Sequence, residues 1–146
     1  MHMDAPILTK EELAARFAAG GLCSQCTLEP WADALGYDVE ELRRMSAGFG
    51  GGMFRGDTCG GVTGALMALG LAFGDDLELM KQKVAEFQAA FTERCGSTIC
   101  RELLGYDLSK PGELEKARES GKMVDVCAVV VRAASEILRE MLRDVD

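Results

Sequence analysis

The chain has one histidine in 146 residues, at position 2, so internal chemistry falls to other side chains. No apolar run approaches the roughly 20 residues that a membrane-spanning helix needs, and no membrane insertion is expected. Basic residues are scarce: 16 Lys and Arg stand against 24 Asp and Glu, a formal net charge of −8. Phosphate recognition needs clustered cations, so nucleic acid and anionic membrane surfaces are not expected partners. The first residues, Met1-His2-Met3-Asp4-Ala5-Pro6, lack a basic segment followed by an apolar one, and a cytoplasmic location is expected. Residues 1–8 read as a tail, Met1-His2-Met3 being compatible with a cloning scar. There is no alternating apolar pattern that demands a strand, no repeat and no linker-like tract. Residues 9–146 are therefore expected to form one all-α domain, a bundle of about five to seven helices with a Gly-rich loop.

Start and stop signals divide the bundle. Thr9-Lys10-Glu11-Glu12 is a capping box that opens a helix to about Ala19. Leu22 to Leu35 reads as a second helix with its regularity in question at Pro30, and Asp38 to Glu41 caps a third that ends near Ala47. A fourth is expected from Asp57 to about Phe73. Leu77, Met80, Val84, Phe87 and Phe91 recur at steps of three and four, the buried stripe of a long fifth. Ser97 to Leu104 is a short helix ended by Gly105, and residues 111–120 read as a loose, partly helical connection. From Met123 to about Arg143, Cys127, Val130, Val131, Ala134, Leu138 and Met141 share one face. The β-branched Val129-Val130-Val131 does not outweigh that period.

Against these absences stand six cysteines. In a chain with 48% hydrophobic residues and no expected export, metal or redox use of the thiols is favoured over a disulfide scaffold. The clearest placement is Cys59, delivered by the run Gly50-Gly51-Gly52-Met53-Phe54-Arg55-Gly56 to the start of an apolar helix. A thiol there meets unpaired backbone N–H groups and the helix dipole, so its pKa is expected to fall. Phosphate cradling by the same loop is disfavoured, because no strand precedes it and no Gly-Lys-Ser/Thr follows. Packing accounts for Gly64. It does not account for Gly60 and Gly61, each costing a helix about 1 kcal/mol relative to Ala, unless N–H groups and space beside the sulfur are needed.

Cys23 and Cys26 form a Cys-x-x-Cys at a helix start, the spacing of thioredoxin-type motifs but without the preceding strand. Thr27 stands where a c-type haem site needs His, and the second half of a zinc ribbon is absent. Taken alone, Cys127 reads as a small buried hydrophobe.

In combination these segments resemble a known family, small bacterial and archaeal proteins named for a C-GCAxxG-C-C pattern and an expected redox activity. The resemblance rests on Gly48-Phe49-Gly50-Gly51-Gly52-Met53, on Asp57-Thr58-Cys59-Gly60-Gly61-Val62-Thr63-Gly64, and on Cys100-Arg101-Glu102-Leu103-Leu104-Gly105-Tyr106-Asp107-Leu108, and covers nearly the whole chain. It implies that the four family cysteines are Cys23, Cys59, Cys100 and Cys127, with their sulfurs gathered in one pocket beside Gly60 and Gly61. The chain departs from the pattern in reading Thr58-Cys59-Gly60-Gly61 where the family has Gly-Cys-Gly-Ala, and in carrying Cys26 and Cys95 besides the four. Related domains fused to multihaem cytochromes carry cysteines that look like an iron–sulfur site.

Three readings follow from the resemblance, in this order. The four cysteines bind an iron–sulfur cluster for electron transfer, [2Fe–2S] favoured, as metal ligands Cys23, Cys59, Cys100 and Cys127. Alternatively the chain is a metal-free thiol–disulfide oxidoreductase or sensor, with Cys23 and Cys59 reactive and Cys26 secondary. The third is a structural zinc or binding module. A redox partner protein is expected without its identity, and a homodimer is compatible with all three.

Overall fold

The computed structural model describes residues 3–143 and 145; the reading of Met1-His2 as part of a cloning scar lies outside them, as do positions 144 and 146. The molecule is all-α. Thr9 caps α1 (Lys10–Ala18) through the reciprocal bonds expected: its Oγ1 accepts from Glu12 N–H at 3.1 Å, and its own N–H donates to the Glu12 carboxylate at 3.0 Å. The second segment is α2 (Cys23–Leu28), a tight turn over Glu29–Trp31 containing Pro30, and α3 (Ala32–Leu35). Pro30 changes the helix to a tighter winding and does not stop it. Asp38 caps α4 (Val39–Ser46).

The central element is α5 (Gly60–Phe73), buried on several sides and packed against α2, α6 (Leu77–Cys95) and α9 (Lys122–Leu142). On α6, Phe87 and Phe91 are fully buried and stack at 5.9 Å, while Leu77, the first residue of the stripe read from the sequence, is 65% exposed. The expected face of α9 is in the core at Val130, Val131, Ala134 and Leu138. Two short helices complete the order, α7 (Cys100–Leu104) and α8 (Glu113–Glu119), the latter inside the stretch expected to be loose. No helix among the described residues is long and apolar enough to cross a membrane.

Every residue of α2 after Cys23 is buried, including polar ones, and each finds a partner. Ser24 Oγ donates to the Ser46 carbonyl at 2.8 Å, Gln25 Nε2 to the Arg43 carbonyl at 3.1 Å, and Glu29 accepts from Arg16 and Arg43 at 3.0 and 3.1 Å. A buried carboxylate stripped of such partners would be strongly destabilising. These bonds hold α2 in register with α1 and α4. Gly64 lets it reach α5: a Cβ there would come within 2.5 Å of the Ser24 carbonyl oxygen.

Candidate cysteine site

Three of the six cysteines stand at helix starts. Cys23 is the first residue of α2, Cys59 caps α5, and Cys100 opens α7. The sequence placed Cys59 within the first turn; the structure puts it one step earlier, with its carbonyl accepting from Val62 and Thr63 at 2.9 and 3.0 Å. Cys59 and Cys100 are tied together by a small device not visible in the periodicity. Thr58 and Ile99 pair as an isolated antiparallel bridge, in which Cys59 N–H donates to the Thr98 carbonyl at 2.8 Å and Cys100 N–H to the Asp57 carbonyl at 2.6 Å. Arg101 secures the same junction by donating to the Gly56 carbonyl and to Asp57.

The glycine loop is more contorted than its composition requires. Gly51, Gly52, Met53 and Phe54 are all left-handed, with φ of 58, 62, 56 and 59°. A left-handed residue with a side chain costs about 1–2 kcal/mol, so Met53 and Phe54 are strained and the surrounding contacts hold them there. Gly50, by contrast, is extended; its need is for space, since a Cβ would lie 2.7 Å from Leu22 Cβ. The result is that Gly51 presents its N–H to the sulfur of Cys23.

Cys23, Cys59, Cys100 and Cys127 line one cavity of about 490 Å³. Its remaining wall is largely apolar, including Leu22, Phe54, Leu104 and Val126. The backbone N–H groups of Gly51, Ser24 and Gly60 face the Cys23 sulfur, and those of Gly61 and Val62 face that of Cys59. Gly60 is where α5 admits Cys23: a Cβ at this position would clash with the Cys23 sulfur and sit 2.9 Å from Ser24 N. Gly61 is less confined, its nearest neighbours being the Val130 carbonyl at 3.4 Å and Cys59 Sγ at 3.6 Å.

Cys26 lies elsewhere. It is fully buried among Leu13, Ala128 and Val131, behind Cys23 and away from the cavity. Cys95, at the last turn of α6, packs against the main core. All six thiols are free.

The expectation that a helix start would acidify Cys59 is overturned. Burial pushes its thiol up, the neighbouring Cys23 adds to this, and the N–H groups of Gly61 and Val62 only partly offset it. Cys23 is raised for the same first reason against the N–H groups of Gly51, Ser24 and Gly60. Cys127 is raised by burial and then by Cys23, Cys59 and Cys100, which places all four thiols within electrostatic reach of one another. Cys100 is pushed up to about 11 by burial and then Cys23, with Arg101 opposing. Cys26 is pushed up to about 11 by burial, with Arg16 opposing.

A pH dependence follows for the metal-free protein. A thiol whose pKa is raised in the fold keeps its proton while the unfolded chain releases its own, so folding loses stability as pH climbs from the ordinary value of 9.0 toward about 11. The urea midpoint is expected to be flat below pH 8 and to fall between pH 9 and 11. Cys26→Ala should fall less steeply over that range. Equal slopes for the two proteins would show that Cys26 is not a raised thiol.

The wall residues around the sulfurs escaped the sequence reading. Leu114 and Ala117 at a step of three, followed by Arg118, were the available signal that residues 113–119 form an amphipathic helix against the cavity. Among the described residues, no three His, Cys, Asp or Glu side chains are gathered closely enough to hold one metal ion.

The model of the family described as "Putative redox-active protein (C_GCAxxG_C_C)" matches residues 22–141, a span that contains all six cysteines, the glycine loop and the bridge. No curated protein and no solved structure is significantly similar to the chain. The chain belongs to the C_GCAxxG_C_C family.

Proposed function

We propose that the protein is an electron carrier whose Cys23, Cys59, Cys100 and Cys127 hold an iron–sulfur cluster, with [2Fe–2S] favoured. The observation that carries this reading is the lining of a single cavity by four thiols from four separate segments. The donor set fits: four cysteine sulfurs are what such a cluster takes, and N–H groups aimed at ligand sulfurs are among the features that tune its potential. A bound cluster supplies reversible one-electron exchange. Gly51, Ser24 and Gly60 around Cys23, and Gly61 and Val62 at Cys59, would stabilise the added negative charge through their N–H groups. The apolar wall would keep water from the sulfurs.

One observation weighs against a zinc module: a structural zinc draws four sulfurs to within about 2.3 Å of one ion, and among the described residues no three such side chains are set for a single ion. Burial raises all four thiols, and because thiolates serve both exchange and ligation this bears on both readings alike. On this reading the chain works with a separate redox partner in a reducing compartment, where its thiols stay free.

Anaerobic reconstitution with ferrous iron and sulfide, followed by a redox titration of the visible absorbance, tests the proposal. About two irons per chain and one reversible one-electron wave are expected for a [2Fe–2S] centre. A two-electron dithiol couple that is unchanged by iron would sink the cluster and favour the thiol–disulfide reading.

A further inference from the structure

The cysteine cavity is larger than a cluster requires and carries one unexplained charge. A four-atom cluster core occupies roughly the space of four waters, ~120 Å³, while the cavity measures about 490 Å³. That size falls within the roughly 300–1,000 Å³ of small-molecule sites, which are mainly apolar with few polar groups. Beyond the four sulfurs and backbone glycines, the wall here is apolar, with Phe17, Phe54, Leu108, Leu114 and Met123 among its residues. Arg118 is the one charged residue lining it.

Arg118 is exposed, and among the described residues its side chain has no hydrogen bond or ion pair. In a chain with 24 acidic residues, Arg16, Arg43, Arg94, Arg101 and Arg139 pair with carboxylates; among the described residues Arg44, like Arg118, does not, but of these two only Arg118 lines the cavity. Leu114 stands one helical turn before Arg118, so α8 offers an apolar side chain and a cation on one face of the cavity. A guanidinium left without a carboxylate beside an apolar chamber suits a molecule that brings its own anionic group.

We propose that this cavity binds an apolar small molecule ending in a carboxylate, its hydrocarbon part among the apolar wall residues and its anion at Arg118. The site does not depend on the cluster reading, because the wall and Arg118 belong to the polypeptide. It would bring an organic ligand next to the four cysteines.

The test is calorimetric titration of the full chain with decanoate, and with the uncharged decanol, on protein with and without iron. Saturable one-to-one binding of decanoate is expected. Arg118→Gln should weaken it about fivefold, the scale of an exposed ion pair, and leave decanol unchanged. Leu114→Trp and Val124→Trp, both at half-buried wall positions, should block both ligands while circular dichroism reports an intact fold. No saturable binding by wild type, or full binding by both folded Trp variants, would overturn the site. Equal decanoate affinity in Arg118→Gln would overturn the anion assignment. The cluster reading fails separately: a protein that binds decanoate yet takes up no iron contradicts that reading alone.

Discussion

Cys23→Ala is expected to abolish iron binding and the associated redox wave, whereas Cys26→Ala keeps most of both. The two thiols are three residues apart at the start of α2 but look in different directions. Cys23 is on the cavity wall, its sulfur over Gly60 and facing the N–H groups of Gly51, Ser24 and Gly60. Cys26 is sealed between Leu13, Ala128 and Val131, with no exposed surface. Removing the first deletes a ligand, and three thiols are left where four are needed. Removing the second leaves a small void, with a cost of about 1 kcal/mol in stability. Iron content per chain and the amplitude of the redox titration check the pair. The opposite ranking would mean that Cys26 is the family's first cysteine and that the site is drawn around the wrong sulfur.

The second large effect is expected at Gly60. A Val there drives Cβ into the Cys23 sulfur and crowds Ser24 N, so either the sulfur or the start of α5 must move. Displacing a positioning group next to a metal site costs about 10–100-fold in affinity, and Gly60→Val should lose iron on that scale. Gly64→Ala provides the contrast on the same helix. Its Cβ would press the Ser24 carbonyl, backbone that has no rotamer to give, and force α2 and α5 apart. Overpacking of that kind costs about 1–3 kcal/mol, to be read as a lower urea midpoint. Gly61 is a weaker probe than Gly60, because a Cβ there meets ordinary contacts. If Gly60→Val lowered the urea midpoint but left iron content and thiol reactivity intact, the glycines would serve packing only.

Most of the helical framework was legible because it rests on local signals. Thr9 and Asp38 cap helices through their own side chains, and the apolar periods of α6 and α9 carry their buried residues, Phe87 and Phe91 on one and Val130, Val131, Ala134 and Leu138 on the other, although Leu77 at the start of α6 is exposed. Interaction at longer range was not legible. The bridge between Thr58 and Ile99 joins segments about forty residues apart, and its hydrogen bonds are backbone ones that no side-chain pattern encodes. The left-handed Met53 and Phe54 contradict local preference, so composition could not announce them. The acidity expected for Cys59 failed for a related reason. A helix start is visible in sequence, but desolvation depends on how the rest of the fold closes around the sulfur, and Cys59 is buried. The placing of four cysteines together was implied by family resemblance; Cys127, read alone, looked like packing.

Whether the four cysteines hold an iron–sulfur cluster is read from the visible absorption spectrum of protein purified without oxygen, taken with its iron, sulfide and zinc content. A protein carrying the cluster gives sulfur-to-iron charge-transfer bands that bleach on reduction, with iron and sulfide in equal amounts and little zinc. A colourless protein with stoichiometric zinc, or one without metal whose thiols cycle through a disulfide, would contradict the proposal.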